Sequence, residues 1–178
     1  MNQSINYWRI FGVLAAIFYF SRIAFSPSGD YMINNVNLIF HEAGHVIFWP
    51  FGEFISVAGG SFMQLLLPFV FVVYFILRQE YFSAGIVFFW FGENFINLSV
   101  YAADALSMEL SLLGGEGAIH DWNYLLTRFN ILEYTKTIAV LLRIIGSGIM
   151  IAGAFLVFWT LFEEKPANMK LWKNEARY

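Results

Sequence analysis

A chain of 178 residues that is 59% hydrophobic, 20% aromatic and only 13% charged lacks the interior to hide its apolar side chains, so much of its surface has to meet lipid or a partner. The net charge of −3 comes with no basic stripe, which leaves no basis for nucleic-acid binding. With no cysteine there are no disulfides, thiolate zinc sites or thiolate-held iron–sulfur clusters, and any metal has to rest on His, Asp or Glu.

The expected fold is an all-α integral membrane protein, with residues 1–178 forming a single membrane domain. Five apolar runs approach the roughly 20 residues that cross a bilayer: about Trp8 to Phe25, about Met32 to Trp49, Ser61 to Leu77, about Phe82 to Ala103, and Thr137 to Phe162. The first resembles a signal peptide in having Arg9 at its start. Its length, Arg22 at its far end and the lack of a clean small-x-small cleavage site before Pro27 read instead as a retained anchor. Pro68 should kink the third run, and Gly146, Gly148 and Gly153 allow the last to pack closely. Residues 104–136 form a loop in which Trp122 to Leu132 has helical spacing, expected to lie along the interface or re-enter the bilayer. The tail, residues 163–178, carries Lys165, Lys170, Lys173 and Arg177, which places it in the cytoplasm and the 104–136 segment outside. Phe88, Phe89, Trp90 and Phe91 read as lipid contact and packing, and Arg22 and Arg143 as snorkelling or paired residues.

The second run contains LIFHEAGHVIFW. On a helix His41 and His45 stand one turn apart on the same face, where both imidazoles can bind one Zn²⁺, with Glu42 beside them as a base. Neutral imidazole is a good zinc ligand, zinc brings the pKa of a coordinated water to about 7, and a nearby carboxylate can take the proton released. Glu42 lies in an apolar run, where an unpaired carboxylate costs on the order of 3 kcal/mol, so it has to be protonated, paired or beside a cation. The alternative is that these polar residues merely pack in a helical bundle, bonded to neighbours such as Asn94 or Asn97.

HEAGH in a membrane helix, followed by FISVAGGS and a further apolar helix, resembles the site-2-protease-like intramembrane zinc metallopeptidases over roughly residues 32 to 130. The resemblance implies an extended segment after the motif helix that holds substrate by strand addition, for which Phe54 to Ala58 is the candidate, with Gly59 and Gly60 turning the chain. It also implies a third zinc ligand that is an Asp on a later helix. The family's Asn-x-x-Pro and Asp-Gly signature is absent, because Val100 stands where Pro would follow Asn97, and Ala105 follows Asp104.

Four residues therefore compete for the third position. His120 comes first, standing after Gly114, Gly115 and Gly117, which could turn it inward. Asp121 comes second, with an N-cap role as its alternative. Glu93 would complete a two-His, one-Glu set or orient a ligating imidazole, and Asp104 reads as interfacial. Asn94 and Asn97 are candidate donors to a developing oxyanion, or packing residues. These features point to a zinc-dependent endopeptidase that acts on a membrane-anchored protein substrate among membrane lipid. A membrane metal-dependent lipid or amide hydrolase is the alternative, and a non-catalytic metal-binding scaffold the third reading. Glu42 argues against the last, since a structural zinc site needs no base.

Overall fold

The computed structural model describes residues 7–113 and 119–162, and these residues are helical with no strand. The helices are α1 (Tyr7–Phe25), α2 (Met32–Phe48), α3 (Glu53–Leu77), α4 (Tyr81–Ala103), α5 (Asp121–Arg128) and α6 (Thr135–Phe162). Each of the five apolar runs forms a helix. Those at Tyr7–Phe25, Glu53–Leu77, Tyr81–Ala103 and Leu132–Leu161 are long and apolar enough to cross a membrane, so the chain is an all-α, multi-pass membrane protein. The exception is α2. Its 17 residues, rising about 1.5 Å each, reach roughly 25 Å against a hydrocarbon core of about 30 Å. It is stopped by a 3₁₀ turn containing Pro50, which has no N–H to donate, and by Gly52 at φ 99°, which glycine adopts at little cost.

The structure corrects one expectation here. Helix α3 begins at Glu53 rather than Ser61, so Phe54 to Ala58 is helical instead of extended, and Gly59 and Gly60 lie within the helix rather than turning the chain. The physical reason is interhelical packing. Glycine within a helix costs about 1 kcal/mol relative to alanine, but here it lets α2 and α3 touch backbone to backbone. A Cβ on Gly44 would collide with the Gly59 carbonyl, and one on Gly59 would lie 2.7 Å from the Phe48 ring and 2.9 Å from the Gly44 carbonyl. Glu53 in the first turn also suits the positive end of the helix dipole. The helix continues through Pro68, whose missing N–H deprives the Gln64 carbonyl of its usual partner.

Helices α4 and α6 use the same device twice. A Cβ on Gly92 would lie 2.5 Å from the Gly146 carbonyl, and two turns away one on Gly153 would lie 2.9 Å from the Gly85 carbonyl. Gly148 meets nothing within 4 Å, so only two of the three expected packing glycines serve that role. Helix α1 joins through the stack of Phe20 on Phe89, with ring centroids 5.7 Å apart. Arg143, expected to snorkel or pair, donates from Nη2 to the Ala24 carbonyl at 2.8 Å and ties α6 to the end of α1. Large apolar residues such as Leu14, Phe18, Ile151 and Phe155 face outward, as a lipid-facing surface requires.

Candidate metal centre

The site forms where α2 ends, α3 begins and α4 ends. His41 and His45 lie in the last two turns of α2, close to its C-terminal end. The third participant arrives from the loop after α4. Asp104, the residue after that helix, accepts hydrogen bonds at Oδ1 from the Ser107 hydroxyl (2.7 Å) and the Glu109 N–H (2.9 Å), and at Oδ2 from the Leu110 N–H (3.0 Å). Burial would raise its pKa, but these donors together with His120 hold it below the usual carboxylate range. His120 Nδ1 accepts the Asn123 N–H at 3.3 Å and caps α5, while its Nε2 lies 3.2 Å from Asp104 Oδ2. Asp121 is consequently the first residue of α5 and is carried into the interior, with its own N–H donating to the Tyr101 hydroxyl at 3.1 Å.

Three potential ligand atoms converge there. Asp121 Oδ2 lies 2.8 Å from His41 Nε2 and 3.2 Å from His45 Nε2, and the ligand atoms of all three residues lie within 4.8 Å of one another. Tetrahedral zinc, with bonds of about 2.0–2.2 Å, separates neighbouring ligand atoms by about 3.3–3.6 Å, so the two Asp121 contacts would have to lengthen to admit such an ion. Gly60 leaves the space, because a Cβ there would lie 2.6 Å from His45 Nε2 and 2.7 Å from His41 Nε2. No protein-family model, curated protein or solved structure matches the chain. The reading therefore rests on these residues. His45 Nδ1 lies 2.9 Å from the Ser56 carbonyl, which can only accept, so Nδ1 carries a proton and Nε2 faces the cluster. Burial would raise the pKa of Asp121, but the neighbouring imidazoles outweigh it and hold the carboxyl below the usual range.

A cavity of about 360 Å³ opens onto the cluster, lined by His41, Glu42, His45, Asp121, Gln64 and Asn97 among others. Leu110, Leu112 and Leu113 border it from the loop after α4. Glu42 is half-buried at its wall, and among the described residues its carboxylate has no hydrogen-bond or ion-pair partner. Ile119 also lines a neighbouring depression formed by Trp49, Pro50, Glu53 and Ser56.

The four candidates for the third position separate clearly. His120, the first choice from sequence, lies outside the cluster. Its Nδ1 lone pair is occupied by a backbone N–H and its Nε2 faces Asp104, so neither nitrogen is left for a metal. The cap role expected of Asp121 belongs to His120, and the inward position expected of His120 belongs to Asp121. The turn expected at Gly114, Gly115 and Gly117 falls outside the described residues. Glu93 is fully buried and lies elsewhere on α4, accepting at Oε2 from Asn37 Nδ2 (2.7 Å), whose Oδ1 accepts from Trp90 Nε1 (2.9 Å). Asp104 binds the loop. Asn94 donates to the Trp90 carbonyl of its own helix, a packing role, whereas Asn97 lines the cavity. Gln64 and Tyr101 have no place in the sequence reading, and Gly60 has one only as a turn residue. Only Gln64 carried a signal, as a lone polar side chain in the charge-free stretch SFMQLLLPFVFVVYFIL.

Proposed function

We propose that the protein is a zinc-dependent hydrolase of the membrane interior, acting as an endopeptidase on membrane-anchored protein substrates. The observation that carries this reading is the convergence of His41 Nε2, His45 Nε2 and Asp121 Oδ2 at the wall of a cavity that also exposes Glu42. When bound, zinc supplies Lewis acidity that lowers the pKa of a coordinated water and polarises a carbonyl. Glu42 serves as the base. It takes the proton as the water oxygen bonds to the substrate carbonyl carbon, then gives it to the leaving nitrogen as the C–N bond breaks. Asn97 uses one N–H in a hydrogen bond to Asn34 and keeps a second for the negative charge that develops on the carbonyl oxygen. Lipid around the bundle brings the substrate to the cavity.

One observation favours a second reading, a lipid or amide hydrolase with the same ligands and base. With Phe54 to Ala58 helical, no strand edge is present among the described residues to hold an extended peptide. Elemental analysis of purified protein should find one zinc per chain, nearly all of it lost in Asp121→Ala and most retained in His120→Ala. Absence of metal from wild type, even after reconstitution with Zn²⁺, would sink the proposal. Incubation with membrane peptides and, separately, with lipid extracts decides the substrate class.

The four basic residues of the tail suggest that it is cytoplasmic, which puts α5 and the cavity mouth towards the opposite face. In this cysteine-free chain a single Cys at Asn174 should react only with reagent from the cytoplasmic side. Labelling from outside alone would reverse the orientation.

A further inference from the structure

Four polar groups stand in file from the loop after α1 to the metal cluster, and their bonding order is determined by one end. Asn34 Nδ2 donates to the Gly29 carbonyl at 3.1 Å, and a backbone carbonyl can only accept. Asn34 Oδ1 is therefore the acceptor for Asn97 Nδ2 at 3.3 Å, and Asn97 Oδ1 accepts Gln64 Nε2 at 2.9 Å. Gln64 is left with Oε1 turned to His41 Nδ1, 3.1 Å away. Flipping any one amide would set two oxygens or two N–H groups against each other at the next contact, so the direction propagates the length of the file.

We propose that Asn34, Asn97 and Gln64 are positioning residues which, ordered by the Gly29 carbonyl, hold a proton on His41 Nδ1, so that Nε2 is the nitrogen left to face Asp121 Oδ2, 2.8 Å away, and the metal cluster. His45 has the same orientation imposed directly by the Ser56 carbonyl. The two ligating imidazoles are thus oriented by different means, one by a single backbone group and the other by a file spanning α2, α3 and α4. The common arrangement in metal sites is a single partner on the second ring nitrogen, which fixes the tautomer and is worth about 10- to 100-fold in metal affinity. In this protein that partner, Gln64, can present its oxygen only because Asn97 and Asn34 hold its amide the right way round. This role rests on the metal-site reading for its purpose, but the tautomer itself does not.

The full-length protein, labelled with ¹⁵N at its three histidines and freed of metal, allows the protonation of each ring nitrogen to be read directly by NMR. Wild-type His41 should carry a proton on Nδ1, whatever Nε2 shares with Asp121 Oδ2 in the metal-free protein. In Asn34→Leu and Gln64→Leu the Nε2–H form should become populated. In Asn34→Asp the wild-type tautomer should persist, because one carboxyl oxygen still accepts from Asn97 whether or not the other is protonated. Titration with Co²⁺ should then show affinity falling about 10-fold in Asn34→Leu and up to about 100-fold in Gln64→Leu, with Asn34→Asp close to wild type. Loss of packing alone would lower the unfolding temperature without this tautomer pattern or its recovery in Asn34→Asp. The proposal is overturned if Nδ1 of wild-type His41 carries no proton, or if it stays protonated in both leucine variants. Failure of wild type to take up Co²⁺, with the expected tautomers in place, would instead overturn the metal-site reading and leave the file standing.

Discussion

Gly60→Ala should abolish metal uptake and leave the helical bundle folded. The added methyl would lie 2.6 Å from His45 Nε2 and 2.7 Å from His41 Nε2, in the space an ion would share with both nitrogens. These nearest atoms belong to side chains, so the imidazoles can swing aside to relieve the contact, and doing so takes their lone pairs off the common centre. Alanine is also a better helix residue than glycine by about 1 kcal/mol. Metal analysis should therefore find an empty protein, while its thermal unfolding stays within a few degrees of wild type. Gly148→Ala is the matched control, since nothing lies within 4 Å of its Cβ, and it should retain full metal. Full occupancy in Gly60→Ala would show that the ion does not sit between the two Nε2 atoms. Gly44→Ala would be a poor substitute, because its Cβ meets the Gly59 backbone and relief requires α2 and α3 to separate.

Glu42→Gln should reduce turnover by at least about 10²- to 10⁴-fold, the usual worth of a positioned general base, while zinc content remains that of wild type. The side chain borders the cavity and lies outside the His41, His45 and Asp121 cluster, so the amide keeps its shape and withdraws only its ability to take a proton. Hydrolysis of membrane peptides, or of lipids if that is the substrate, is measured alongside metal content on the same preparation. A variant as active as wild type would remove Glu42 from the chemistry. One that loses both activity and zinc would make Glu42 a ligand or a structural partner of one.

The main helices, and the pairing of His41, Glu42 and His45, were legible in the sequence because they depend on local regularities. An apolar run of sufficient length has to form a helix in lipid, where every backbone polar group needs an internal partner, and residues four apart on a helix share a face whatever surrounds them. The start of α3 was not legible in the same way. The resemblance implies an extended FISVAGGS turned at Gly59 and Gly60, whereas the chain runs on as a helix whose glycines lie against Gly44 across the interface. The third member of the cluster was also a tertiary decision. His120 and Asp121 are neighbours of similar local promise, and what separates them is that Asp104 and the Asn123 N–H occupy both nitrogens of His120, which makes it the cap and carries Asp121 inward. Sequence spacing could not link Gln64 to His41 either, since its amide orientation is inherited through Asn97 and Asn34 from a carbonyl at Gly29. The residue types and helical phase that make a metal site possible are local properties of this chain. Which atoms have free lone pairs, and where they meet, depends on hydrogen bonds between segments far apart in sequence, and those exist only once the helices have packed.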